Sequence, residues 1–164
     1  MRIALFGSSL VGKSTAAREL SQQMSLPIRH CGDVVRQKAA MMNISLSDLP
    51  DAVHSEIDSE TRLWITAQRA GFIVEGRFLD AVIDPTEDLN LVHLYARLDV
   101  RAARGGISLQ SAEQRDALDE EFRVRLFTRS QSTVSCVSID TSEMSVLECA
   151  GEVIKQVLAA KRHD

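Results

Sequence analysis

Arg2-Ile3-Ala4-Leu5-Phe6-Gly7-Ser8-Ser9-Leu10-Val11-Gly12-Lys13-Ser14-Thr15 decides the fold. An apolar stretch one strand long runs into the pattern G-x-x-x-x-G-K-[ST], and Ala16-Ala17-Arg18-Glu19-Leu20 continues it with good helix formers. Glycines let the backbone curl so that successive N–H groups point at an anion, and the helix that follows aims its positive end at the same place. Gly7, Ser8, Ser9, Leu10, Val11, Gly12, Lys13, Ser14 and Thr15 are therefore expected to cradle the phosphates of a nucleoside triphosphate such as ATP. Lys13 would reach the β- and γ-phosphates and Ser14 would ligate Mg²⁺.

The 164 residues suffice for one buried core, and no Pro/Gly/Ser-rich linker divides them, so a single domain over 1–164 is expected. No run approaches the roughly 18 apolar residues of a membrane helix, and no signal or transit peptide is visible. Cys31, Cys136 and Cys149 are odd in number and lack metal or C-x-x-C spacing, which favours reduced thiols in a cytoplasmic protein. A net charge of −4 with 4% aromatics argues against a nucleic-acid polymer as partner, whereas a small nucleotide needs only a local cluster of cations.

Downstream, strands alternate with helices. Pro27 to Cys31 reads as a second strand, Phe72 to Arg77 as a third, Leu89 to Ala96 as a fourth and Val134 to Ile139 as a fifth. Ser45 with Asp48 resembles a capping box opening a helical stretch to Gly71, broken or continuous past Pro50. A helical segment at Leu98 to Arg104, the Gly105-Gly106 break and a charged helix from about Ser108 to Thr128 separate the last two strands. An amphipathic helix from Val146 to Lys161 closes the chain. This alternation implies a parallel sheet with helices on both faces and a ligand at the carboxyl ends of its strands. The motifs 7–15, Gly32-Asp33, Glu75-Gly76-Arg77 and Asp140-Thr141-Ser142 fall at those ends.

Their order along the chain resembles the cytidylate kinases, particularly the compact archaeal type, within the nucleoside monophosphate kinases related to adenylate kinase. The likeness is carried by the phosphate loop, Cys31-Gly32-Asp33-Val34-Val35-Arg36, the segment Asn43 to Leu49, Glu56-Ile57-Asp58, Val74-Glu75-Gly76-Arg77 and Ile139-Asp140-Thr141-Ser142. It implies a P-loop NTPase fold of the nucleoside monophosphate kinase type, with a five-stranded parallel sheet, a helical acceptor-binding insert at about 33–70 and a short lid at about 101–129. It also implies phosphoryl transfer from ATP, with Mg²⁺, to a nucleoside monophosphate, CMP or another pyrimidine nucleotide first.

An acceptor monophosphate beside a triphosphate needs guanidinium groups to hold it in line. Arg77, leaving directly from a buried strand, suits that clamp. Arg36 suits it too, or else forms a local surface pair with Asp33 three residues away. Glu75 suits holding a Mg²⁺-bound water, orienting Arg77 or serving as a buried structural carboxylate. Asp33 suits holding a metal-bound water, orienting the acceptor or capping a helix. In the lid, Arg101 and Arg104 match the family's phosphate-binding arginines. The segment after Arg104 then departs from the pattern, being shorter and lacking a further basic position. Arg115, Arg123, Arg125 and Arg129 follow, with Arg125 taken as catalytic beside Lys13, Arg77 and Arg104, against a solvated charged helix as the alternative for each. His93 reads as a core histidine, and Trp64, Met41 and Met42 as packing within the insert.

Two other functions fit the same residues. One is a P-loop kinase for another small acceptor, of shikimate or adenylylsulfate kinase type. The other is a nucleotide-binding module without turnover.

Overall fold

Five parallel strands form the frame: β1 (Arg2–Phe6), β2 (Ile28–His30), β3 (Phe72–Glu75), β4 (Asn90–Tyr95) and β5 (Val137–Asp140), in the spatial order β2-β3-β1-β4-β5. The computed structural model describes residues 1–83, 88–127 and 136–160, with side chains to residue 123 in the second stretch. In register, Ile3 faces Ile73 and Asn90, and Val92 faces Val137. The chain winds from β1 to β2 and β3 on one side, then crosses to β4 and β5 on the other. The winding therefore reverses at the carboxyl end of β1, where open parallel sheets bind their ligands.

β1 is buried on both faces because successive side chains point opposite ways. Ile3 and Leu5 join Ile73, Val92, Leu94 and Ile139 in a core closed by two helices, α1 (Lys13–Met24) and α7 (Val146–Ala160). Those helices bring Ala16, Ala17 and Leu20, and Cys149, Ala150, Val153 and Val157, at the three- and four-residue spacing that makes one helical face. Ala4 and Phe6 look the other way, toward Phe72, Val74 and Leu91, and are covered by Ile65 of α3 (Asp51–Ala67) and Leu79 of the short α4 (Leu79–Val82). A third, smaller cluster joins α2 (Cys31–Met42) to α3 through Ala39, Leu49 and Ile57. It makes a helical arch beside the sheet rather than on it.

Several boundaries differ from those read in the sequence. Cys31 begins α2 instead of ending β2, β3 stops at Glu75, and β4 is one residue shorter at each end. β5 starts at Val137, and the expected residues 134 and 135 lie outside the described residues. The stretch from Ser45 is broken. Leu46–Asp48 is one 3-10 turn, and α3 starts only after Pro50, whose φ of −62° and ψ of 146° are extended, with Asp51 in its first turn. Ser45 spends its hydroxyl on the Asp48 carboxylate, 2.7 Å away, rather than capping a backbone N–H. Met41 is 79% exposed and Met42 half-exposed, so neither packs within the insert, whereas Trp64 meets Phe72 edge-on at 5.3 Å. Among the described residues, no helix is long and apolar enough to cross a membrane.

Between β4 and β5 the chain makes α5 (Leu98–Gly105) and α6 (Leu109–Phe127), separated at Gly106, which caps α5 with φ 60°. A Cβ on Gly105 would come within 2.6 Å of the Leu10 side chain, so this position lets α5 press against the tip of the loop that follows β1.

Candidate active site

The loop after β1 closes tightly because Gly7 takes φ 136°, and a Cβ there would stand 2.0 Å from the Leu94 carbonyl oxygen. Gly12, at φ 98°, has open space around it and is required by conformation alone. Leu10 adopts φ 67°, an uncommon conformation for a residue with a side chain. The loop is braced from β5's side of the sheet. Thr141 Oγ1 donates to the Val11 carbonyl at 2.8 Å, and Arg104 of α5 donates to the Thr141 carbonyl at 2.5 Å and to Thr141 Oγ1 at 3.1 Å. Thr141 is itself buried.

Lys13 opens α1 at 8% exposure, and its Nζ donates to the Ser8 carbonyl at 2.7 Å across the loop it must serve. Burial pushes its ammonium down from 10.5 to about 8, with the Glu75 carboxylate opposing that shift and Arg77 adding to it. Next to it, Ser14 Oγ donates to Glu75 Oε1 at 3.0 Å, and His30 Nδ1 lies 3.0 Å from the same oxygen. Glu75 is 4% exposed at the end of β3, so strand β3 aims a buried carboxylate at the serine of the phosphate loop. Hard oxygens arranged this way suit a divalent cation of the Mg²⁺ type.

A cleft of about 1250 Å³ runs from this loop over the ends of β2 and β3 to α2, α3 and α6. Ser9 to Thr15, Glu75, Arg77, Arg36 and Arg104 line it, while Gly7 and Ser8 do not. Arg77 is half-exposed and its Nη1 donates to Asp119 of α6 at 2.5 Å. Arg123 of α6 donates in turn to Asp80 at 2.6 Å. One oxygen each of Asp80 and Asp119 is buried without a hydrogen-bond partner among the described residues. Burial raises the Asp80 carboxyl despite Arg123. Arg115 also lines the cleft.

Other expected residues sit differently. Arg101, placed among the phosphate-binding residues by sequence, does not line the cleft. Its guanidinium is held by both oxygens of Asp116, at 2.8 and 2.5 Å, and by the Ala96 carbonyl at 3.2 Å. Arg36 and Asp33 form the exposed local pair that was the alternative to acceptor binding, and Asp33 does not line the cleft. The Arg36 guanidinium holds the Asp33 carboxyl below its usual range. Arg125 is within α6 but its side chain lies outside the described residues, as does Arg129 altogether. His93 is half-buried and stacks on Phe6 at 4.8 Å. Sequence reasoning missed His30, the Thr141 brace and Asp119. The first stands one residue before a family segment and the second within one, but Asp119 carries no local signal.

Five parallel strands wound in this order around a phosphate loop define the P-loop kinase fold. No protein-family model matches the chain. It is similar to the cytidylate kinase of Pyrobaculum aerophilum, 29% identical over 154 residues, covering 89% of this chain and 80% of that protein. It is likewise similar to the cytidylate kinase of Methanothermobacter thermautotrophicus, 29% identical over 153 residues, covering 90% of this chain and 92% of that one. The resemblance carried by the motifs thus extends over most of the chain, which is cytidylate kinase-like. Among solved structures, a gluconokinase from Sinorhizobium meliloti superposes with a TM-score of 0.69 at 16% identity, over 99% of this chain and 94% of that one. A shikimate kinase from Acinetobacter baumannii gives 0.68 at 15%, over 98% and 94%. At such identities these two neighbours share the fold.

Proposed function

We propose that this chain transfers the γ-phosphoryl group of ATP to a nucleoside monophosphate, with CMP as the foremost acceptor. One observation carries the reading: Lys13 and Ser14 of the phosphate loop and Glu75 and Arg77 of the β3 end meet in a single cleft. Its volume exceeds the roughly 300–1,000 Å³ usual for one small ligand, which suits two nucleotides side by side. The kinship with cytidylate kinases supports the pyrimidine monophosphate.

In this reading, the loop N–H groups and Lys13 hold the β- and γ-phosphates, Arg104 flanks the donor side, and Arg77 holds the acceptor phosphate. An oxygen of that phosphate attacks the γ-phosphorus, the bond from γ-phosphorus to the β–γ bridging oxygen breaks, and ADP leaves with the bond's electron pair. Mg²⁺, for which Ser14 and Glu75 provide fitting oxygens, would neutralise charge on the transferring group when bound. The arch formed by residues 33–70 serves as the acceptor compartment and 101–129 as the lid, with Arg123 exchanging the Asp80 carboxylate for phosphate on closure.

ADP release measured over a panel of nucleoside monophosphates and small hydroxyl acceptors tests the proposal, with the highest turnover expected on CMP. Turnover confined to a non-nucleotide acceptor, or tight ATP binding with no turnover on any acceptor, would overturn it.

A further inference from the structure

The face of α3 turned to the cleft carries Asp51, His54, Ile57, Asp58 and Thr61, spaced three, three, one and three residues apart. Opposite them on α2 stand Cys31 and Val35, and Leu46 and Leu49 close the end. Val35, Leu46, Leu49 and Ile57 give this compartment apolar surface, a fit for the flat face of a base. Two other acids of α3 already have cations: Lys38 lies 2.9 Å from both Glu56 and Glu60, and Arg29 lies 3.8 Å from Glu60. Asp58 differs from them. It is half-buried and lines the cleft, and it makes no hydrogen bond to any described residue. Arg62, one turn along the same helix and exposed, attracts it only through space.

A carboxylate taken partly out of water without a donor costs stability. Burial indeed pushes the Asp58 carboxyl up, against the weaker pull of Arg62. Such a cost is offset when a bound ligand brings an N–H. On the reading of this cleft as an acceptor site for nucleotides, which this inference deepens, we propose that Asp58 reads the base. It accepts a hydrogen bond from an exocyclic ring amine and so selects an amino-bearing pyrimidine over an oxo-bearing one. The negative charge that welcomes the amine repels the carbonyl oxygen occupying the same place on uracil. It also disfavours acceptors bearing a carboxylate at that end.

Asp58→Asn keeps the shape and replaces one acceptor oxygen by a donor suited to the uracil carbonyl. Binding of CMP, UMP and dCMP to wild type and D58N, measured by calorimetry in the presence of a non-hydrolysable ATP analogue, tests the assignment. Wild type is expected to favour CMP over UMP by on the order of tenfold or more, and D58N to shift that ratio toward UMP by about 10- to 100-fold. The CMP to dCMP ratio should stay unchanged. Ligand-free D58N should melt at or above the wild-type temperature, since an unpartnered carboxylate has been removed. Asp58→Ser supplies a smaller neutral side chain and should also lose the preference for CMP. If both variants retain that preference, or if it is the discrimination against dCMP that collapses, Asp58 does not read the base. If wild type binds the ATP analogue but none of the three pyrimidine monophosphates, the reading of the acceptor as a pyrimidine nucleotide itself falls.

Discussion

The phosphate-loop end of the cleft, the donor end in the proposed reaction, is made of backbone, and the opposite, proposed acceptor end of side chains. At the donor end, left-handed glycines, a braced carbonyl at Val11 and a helix start define the shape before any ligand arrives. At the acceptor end, Arg77 is held by Asp119 and Arg123 by Asp80, so the cations that would meet a phosphate are already occupied by carboxylates from facing elements. Backbone geometry is fixed by the fold, whereas paired side chains exchange partners. The first half is therefore preorganised, and the second must be remade on binding.

The largest expected effect tests the donor half. Lys13→Ala should lower the turnover rate by on the order of 10²-fold or more, because one charge contact to the transferring phosphates is lost. The fold should persist, and its pH dependence provides a second readout. In the folded chain the Lys13 ammonium titrates near 8, against 10.5 when exposed. Between those pH values the unfolded chain holds a proton that the folded chain has shed, so wild-type stability gains from this group as pH rises from about 8 to 10.5. Melting curves of K13A should lack that gain. Unchanged turnover with a wild-type melting profile would remove Lys13 from the phosphates.

Arg77→Ala comes next and separates the two halves. A guanidinium–phosphate contact shielded from water should be worth about 10- to 100-fold in acceptor KM, while the Kd for ATP moves by no more than about twofold. Equal losses on both ligands would mean that the Arg77 side chain supports the scaffold, through its ion pair with Asp119 of α6, rather than the acceptor.

How much of this was legible follows the same division. The shape of the phosphate loop could be read because it lies in backbone conformation, and backbone conformation is written in local residue types such as Gly7 and Gly12. The alternation of strands and helices was legible for a similar reason: β1 is apolar at every position from Ile3 to Phe6 because it is covered twice. The acceptor end depends on pairs distant in sequence. Asp119 meets Arg77 across 42 positions and Arg123 meets Asp80 across 43, and no local pattern announces either. Arg101 misled because its position in the lid was visible while its partner Asp116, fifteen residues on, was not.

Thr141→Val should mirror Arg77→Ala at smaller size. It keeps the volume but removes the hydroxyl that bridges Val11 and Tyr95. The loop brace then rests on Arg104, whose Nη1 lies 3.4 Å from the Val11 carbonyl, with a stability loss of about 1–1.5 kcal/mol for the hydrogen bonding removed. ATP affinity should fall by roughly the tenfold that such an energy represents, with acceptor KM unchanged. An acceptor KM that rises with the ATP Kd would show that the brace serves both halves and would blur the distinction.

The smallest effect, and the one that most sharpens the comparison, is expected at Asp119. The Asp119 carboxylate occupies the Arg77 guanidinium, so on the proposed reading acceptor binding exchanges one anion for another. Asp119→Asn keeps a hydrogen-bonding side chain while removing the competing charge. Acceptor KM should therefore fall by about two- to fivefold at low salt, in line with the modest strength of a pair whose arginine is half-exposed. The gain should shrink at about 1 M salt, where the Debye length is near 3 Å, and the Kd for ATP should barely change. A KM that instead rises, at either salt concentration, would mean that Asp119 positions Arg77 for the phosphate rather than standing in for it. The acceptor half would then be preorganised too, by side chains in place of backbone.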